Sequence, residues 1–130
     1  MKRSQGFTVI EIIVVILFLS VASAVLFIQK DNLAATQRDN QRKTAINAMY
    51  YNLEEVYYPK NGYYPSKIDS KALPAMDPSL FTDPDGNAMT DSGSEYHYDG
   101  TNCNNNQCKS YTLSADLEQE AKYVKTSRHN

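Results

Sequence analysis

The apolar residues of this chain are concentrated near its start. Residues 7–28 form one continuous run (FTVIEIIVVILFLSVASAVLFI) whose only charged residue is Glu11. An α-helix rises about 1.5 Å per residue, so roughly 20 apolar residues are enough to cross a bilayer. The pattern therefore predicts a helix over residues 7–28 that can span a membrane.

The helical pattern continues over residues 29–58, but there it is apolar on one face only. No proline occurs between Phe7 and Tyr58, so nothing forces the helix to end at a membrane surface. We expect the second half of the helix to pack under a small head domain and the helix to end at Pro59. The stripe that recurs at helical spacing comprises Ile46, Met49, Tyr50, Leu53, Val56 and Tyr57.

Residues 59–130 predict a small head of turns and strands. Pro59 to Pro65 is a turn that ends the helix, and residues 66–93 are rich in Pro, Asp, Ser and Gly, which predicts mostly loop. Residues 95–99 and 109–115 alternate in the strand period and predict two antiparallel strands, with a short third strand at 123–124. The predicted fold is α+β, a long N-terminal helix with a small antiparallel sheet packed on its C-terminal half.

Length and charge exclude several classes of function. A chain of 130 residues has room for one small domain and not for a large multidomain enzyme. Thirteen basic and fifteen acidic residues give a net charge of −2 without an extended basic block, so nothing indicates a nucleic-acid-binding surface. The sequence contains no recognisable catalytic constellation, and we expect a protein that is not an enzyme.

Glu11 is the unusual residue of the apolar run. A carboxylate inside a membrane-spanning helix costs on the order of 2.5–3.5 kcal/mol, so a partner is expected. A plain membrane anchor has no use for such a residue. A secretory signal peptide has none either, although Ala22-Ser23-Ala24 satisfies the small-x-small rule for cleavage after Ala24. Lys2 and Arg3 precede the run, which favours a cytoplasmic N-terminus with the polar part of the chain outside.

The start of the chain resembles the class III leader of type IV pilins and pseudopilins. The resemblance consists of a basic leader ending at Gly6, the segment Phe7-Thr8-Val9-Ile10-Glu11, and the apolar helix that follows. The Gly62-Tyr63-Tyr64-Pro65 turn is also similar to the turn after the long helix of that family. The resemblance implies that residues 1–6 are removed by a prepilin peptidase and that the new N-terminus at Phe7 is methylated.

The resemblance also implies a role for Glu11 in assembly. Its carboxylate would face the α-ammonium group of Phe7 on a neighbouring subunit. This ion pair would offset the cost of the buried charge and would fix the register between subunits. Pairing within one chain and stabilisation of the helix N-terminus are alternatives that the sequence leaves open.

Two further groups of residues are candidates for chemistry in the head. Cys103 and Cys108 are five residues apart, next to the predicted hairpin, and in an extracytoplasmic domain we expect them to form a disulfide. Asp83, Asp85 and Asp91 offer hard oxygen donors for calcium, and their loop resembles the Asp-Pro-x-Gly-Asn segment of major pseudopilins. Asx and Pro turns are the favoured interpretation of this loop, and apart from calcium no cofactor is indicated.

The leading hypothesis is a major-type subunit of a type IV pilus or pseudopilus that serves adhesion, twitching motility, secretion or DNA uptake. The family implies four partners: other copies of the chain, the prepilin peptidase, an inner-membrane assembly platform with its ATPase, and the membrane before assembly. The chain would be a single-pass protein of the cytoplasmic membrane before assembly and part of an extracellular filament afterwards. The alternative is a small secreted or membrane-anchored binding domain that does not polymerise.

Overall fold

The structure, a computed structural model, describes residues 6–129, so the predicted basic leader before Gly6 lies outside the described residues. A helix α1 covers Val9–Tyr51, a π-helical turn follows at Asn52–Tyr57, and a short helix α2 covers Tyr58–Asn61. The strands are β1 (Tyr64–Pro65), β2 (Tyr96–Asn104), β3 (Gln107–Ala115) and β4 (Tyr123–Thr126), with a 3-10 helix at Pro78–Phe81. This is the α+β fold that the sequence predicts.

The helix ends within the Pro59–Pro65 segment, as predicted, but not at Pro59 itself. Pro59 lies inside α2, and the helical stretch ends one turn later at Gly62, which has a left-handed φ of 76° and donates its N–H to the Tyr58 carbonyl. In a π turn each carbonyl accepts from the residue five positions on, so the carbonyl of Glu55 does not require an N–H from position 59. The π turn therefore accommodates a proline that would break a regular α-helix.

Chain contacts divide the protein into two compact units, with the division after Ala34. In the first unit, every described residue from Gly6 to Leu33 is exposed. The apolar stretch is long and apolar enough to cross a membrane, by length and composition. In the second unit, the C-terminal part of α1, the π turn and α2 pack with the sheet and the long loop.

The sheet is antiparallel and is organised around β3. β2 pairs along one edge of β3 from Tyr96↔Ala115 to Asn104↔Gln107, while β1 and β4 share the other edge. The predicted pairing of β2 with β3 and the third strand at 123–124 are confirmed, and all three strands are longer than predicted. β1 lies in the segment that the sequence indicates as a turn, and its two residues pair with Cys108 and Gln107.

The core lies between the helix and the inner face of the sheet. Alternate residues of β3, Tyr111, Leu113 and Ala115, are buried, as the strand period requires. The loop over residues 66–93 is more than a connection, because Ile68, Leu73, Met76 and Phe81 are buried in the same cluster.

The stripe predicted on the helix is correct except at Val56, since Tyr50 and Tyr57 pack against the core as expected. Ile46, Met49 and Leu53 are fully buried, but Val56 is 49% exposed and Glu54 is buried instead. The π turn contains more residues per turn than an α-helix, so the buried face shifts along the sequence.

Candidate functional site

The exposed apolar surface of α1 is the most prominent feature of the first unit. Its large side chains are exposed all round the helix. The members from position 9 onward are Val9, Ile10, Ile12, Ile13, Val14, Val15, Ile16, Leu17, Phe18, Leu19, Val21, Val25, Leu26, Phe27 and Ile28. A helix that is apolar on all sides requires an apolar environment from elsewhere.

The serines of this helix form their hydrogen bonds within it. Ser20 Oγ donates to the Leu17 carbonyl at 2.8 Å, and Ser23 Oγ donates to the Leu19 carbonyl at 2.8 Å. Such bonds back to the preceding turn satisfy a hydroxyl without water. The polar groups in the middle of the apolar stretch are therefore compatible with apolar surroundings.

Glu11 lies in the first turn of α1, beside a threonine that caps the helix. Thr8 Oγ1 accepts a hydrogen bond from the Glu11 backbone N–H at 3.3 Å, and the Thr8 carbonyl accepts one from the N–H of Ile12. Thr8-x-x-Glu11 has the spacing of a capping box, in which an acid at the third helical position favours the helix start. Among residues 6–129 no side chain forms a hydrogen bond or ion pair with the Glu11 carboxylate.

Gly6 and Phe7 lie just before the helix. Both residues are exposed, and helical structure begins at Val9. A Cβ placed on Gly6 meets no atom within 4 Å, so packing within this chain does not require glycine there.

The predicted disulfide between Cys103 and Cys108 is present and is confirmed. The two residues are opposite each other on β2 and β3, next to the hairpin turn. Gly100 lies under the bridge, because a Cβ at that position would be 2.7 Å from the sulfur of Cys108. Asn102, Asn105 and Asn106 have positive φ values, a conformation that asparagine tolerates better than most residues.

The three aspartates proposed for calcium have other partners. Asp83 is buried and accepts hydrogen bonds from the backbone N–H groups of Asp85, Asn87 and Glu95 at 2.8–3.0 Å. Asp85 forms an ion pair with Arg42 at 2.7 Å, and Asp91 accepts from the N–H of Ala88. The bond from the Asp85 N–H to Asp83 is that of an Asx turn. No group of three or more His, Cys, Asp or Glu residues in the described chain is arranged to hold a metal ion.

Burial raises the pKa of Asp83, but the backbone hydrogen bonds from Glu95 and Asn87 outweigh burial and lower it below its ordinary value. Asp83 therefore holds its loop as a carboxylate at neutral pH.

Sequence reasoning missed a buried ionic cluster on the helix. Arg42 and Asp39 are each 2% exposed and lie 3.0 Å apart, and Arg42 also contacts Glu118 at 2.8 Å. Asp39 accepts the backbone N–H groups of Glu118 and Gln119, so the cluster ties the helix to the segment before β4. Hydrogen bonds from Arg38 and Arg42 lower the pKa of Glu118 to about 2. A signal was available, because Ala35, Asp39, Arg42 and Ile46 continue the stripe toward the N-terminus at helical spacing.

Glu54 is the second buried group that sequence reasoning missed. Its carboxylate accepts hydrogen bonds from the hydroxyl groups of Tyr64 and Tyr111 and from the backbone N–H of Arg128 at 3.2 Å. The guanidinium group of Arg128 also contacts Tyr50 and Glu55. The π turn thus places an acid where it joins the helix, the sheet and the C-terminal segment.

No protein-family model matches the chain, and neither a curated protein nor a solved structure matches it at a significant level.

Proposed function

We propose that this chain is a subunit of a filament of the type IV pilin or pseudopilin kind. The single observation that carries the proposal is the α1 surface over residues 9–28, which is apolar on all sides, exposed throughout, and joined to a head with its own core. In a filament, copies of this helix would bury each other, and burial of apolar surface would be the main driving force. Two features of the sequence, the Gly6-Phe7 junction and the acid at position 11, also support the proposal.

In the proposed cycle the chain first resides in the cytoplasmic membrane, with its N-terminus in the cytoplasm and its head outside. A prepilin peptidase cuts between Gly6 and Phe7 and methylates the new amino group of Phe7. An assembly platform with its ATPase then moves the subunit from the membrane into an extracellular filament. Adhesion, motility, secretion and DNA uptake are all compatible with a head of this kind.

Glu11 has a specific part in this proposal. Its carboxylate pairs with the α-ammonium group of Phe7 on a neighbouring copy, in surroundings where an unpaired charge is strongly unfavourable. The absence of a partner for this carboxylate among the described residues supports pairing with another chain.

The contact between Thr8 and Glu11 favours a second candidate function. If Glu11 serves only the helix start, the chain is a singly anchored binding domain that does not polymerise. The two candidates differ in what the Glu11 charge does, and variants at positions 8 and 11 separate them.

The experiment expresses the full chain in cells that carry a prepilin peptidase and an assembly system, and measures the mature N-terminus by intact mass and peptide sequencing. We expect a methylated Phe7. Glu11→Gln retains a residue type that the capping box accepts but removes the charge, so sheared filaments should decrease at least tenfold. Thr8→Ala removes the cap at a cost of about 1 kcal/mol and should leave filaments abundant.

The opposite results would refute the proposal. A mature chain that begins at Val25 would have lost the apolar helix and Glu11, and the chain would be a secreted domain. Filaments that form equally well with Glu11→Gln would show that the charge has no role in assembly.

A further inference from the structure

Two adjoining depressions lie where the β2–β3 turn meets the end of the helix and β1. The first has a volume of about 390 Å³ and is lined by Tyr58, Gly62, Tyr63, Asn102, Asn104, Asn105, Gln107, Cys108 and Lys109. The second has a volume of about 450 Å³ and is lined by Tyr57, Tyr63, Pro65, Ser66, Lys67, Asn105, Asn106 and Gln107. Both volumes are within the range of small-molecule sites.

Tyr63, Asn105 and Gln107 line both depressions, so the two form one elongated groove. The side-chain amides of Asn105 and Gln107 make no hydrogen bond to any residue among 6–129. Each amide offers two N–H donors and a carbonyl acceptor. The groove thus combines a tyrosine ring at its centre with free amides that can both donate and accept.

The walls of the groove are held in place before any ligand binds. The disulfide joins the two strands beside the turn. Ser66 ties the turn to β1, because its N–H and its hydroxyl both donate to Asn106, at 3.2 Å each. The ring of Tyr63 packs edge-on against Tyr57 with centroids 6.0 Å apart. A preorganised site loses less conformational entropy on binding.

The charges at the groove are of one sign. Lys67 lines one depression and Lys109 the other, and no described carboxylate lines either of them. Both lysines are exposed, and neither forms an ion pair with a described residue. A ligand with acidic groups at its two ends would complement them.

From these features we infer that the groove binds a short acidic oligosaccharide, such as a uronic-acid disaccharide. Sugar hydroxyl groups pair with amides that donate and accept, a sugar ring lies against the tyrosine, and the carboxylates pair with the two lysines. Two depressions beside a shared ring correspond to two sugar units. The inference concerns a single head and does not depend on filament assembly.

The test uses the full chain in micelles of a detergent without a sugar headgroup. Side-chain amide signals of Asn and Gln are followed by NMR as α-1,4-digalacturonate, dimannuronate or a hyaluronan tetrasaccharide is added. At least one of them should shift the Asn105 and Gln107 signals saturably, at ligand concentrations up to about 10 mM, which corresponds to weak binding. α-1,4-Galactobiose, which lacks the carboxylates of digalacturonate, is the matched neutral ligand.

The double variant Asn105→Gly with Gln107→Ala removes both amides and retains a residue suited to positive φ at position 105. Binding to this variant is followed on the side-chain amide signals of Asn104 and Asn106, which line the same groove. The double variant should weaken binding at least tenfold, as should Lys67→Gln with Lys109→Gln. The double variant Gln37→Ala with Asn40→Ala removes exposed amides from the helix and should change nothing. An unchanged unfolding midpoint shows that each variant is folded.

The inference would be overturned if none of the three acidic sugars shifted the groove signals. It would also be overturned if the groove variants bound as well as the control, or if galactobiose bound as tightly as digalacturonate. None of these outcomes bears on filament assembly.

Discussion

The two units of this chain differ in whether their side chains are buried and paired within the chain. In the second unit, buried charges such as Arg42 and Glu54 have hydrogen-bond partners, and the apolar side chains form a single core. In the first unit, the apolar side chains are exposed, and the hydroxyl groups of Ser20 and Ser23 are satisfied within the helix. The head therefore has a core of its own, whereas the apolar side chains of residues 9–28 are exposed in the described chain.

The largest expected difference between the units is the effect of removing a leucine side chain. Leu53 is fully buried, while Leu19 is 62% exposed. Leu53→Ala should lower the free energy of unfolding of the head by about 2–5 kcal/mol, because it leaves a cavity in the core. Leu19→Ala should change it by less than about 0.5 kcal/mol. Urea unfolding of the full chain in micelles, followed by near-UV circular dichroism, measures both values.

Equal effects of the two substitutions would remove the distinction between the units. A filament assay on the same variants provides a second test of this distinction. Leu19→Ala should lower the yield of filaments although it leaves the stability of the head nearly unchanged.

A smaller effect is expected from the buried ionic cluster. Arg42→Met should destabilise the head by about 3 kcal/mol, because Asp39 is left as a buried carboxylate without its cation. Arg38 pairs with the same Glu118 but is partly exposed, so Arg38→Met should destabilise the head much less than Arg42→Met does. Thermal unfolding of the two variants measures the difference. If the Arg38 variant is the less stable one, burial of the Arg42–Asp39 pair does not determine how much the cluster contributes to stability.

The smallest effect is a change in the pH dependence of stability. The pKa of Glu118 is lowered from 4.5 to about 2 by hydrogen bonds from Arg38 and Arg42. A group whose pKa is lower in the folded state stabilises the fold above its unfolded pKa, and this contribution is lost as the pH falls. Stability should therefore decrease from about pH 4.5 toward pH 2, and Glu118→Gln should reduce that decrease.

Asp39 and Asp83 also have lowered pKa values, so some dependence on pH will remain in the Glu118 variant. Glu120→Gln is the matched control, because Glu120 is more exposed and contacts only Lys43 among the described residues. The urea midpoints of the unmodified chain, Glu118→Gln and Glu120→Gln are measured between pH 2 and pH 7. The same slope in all three would contradict the assigned role of Glu118.

Sequence reasoning was most successful where one physical rule decides the outcome. The apolar run, the alternation in β2 and β3 and the close cysteine pair each follow from local periodicity or spacing. It failed at Pro59, Val56 and Glu54 for one common reason, since the π turn changes the helical repeat and no residue type marks it. It also missed Arg42 and Asp39, because charged residues on a helix ordinarily face solvent and their partners are some 40 to 80 positions away.

The π turn also affects how this sequence should be aligned with others. Within Asn52–Tyr57 the helix changes phase, so residues after the turn occupy angular positions that an unbroken α-helical repeat does not assign to them. An alignment that keeps a constant repeat through this segment would place Val56 in the core and Glu54 on the surface. A comparison based on structure therefore needs a single-residue gap here wherever the counterpart is a regular α-helix.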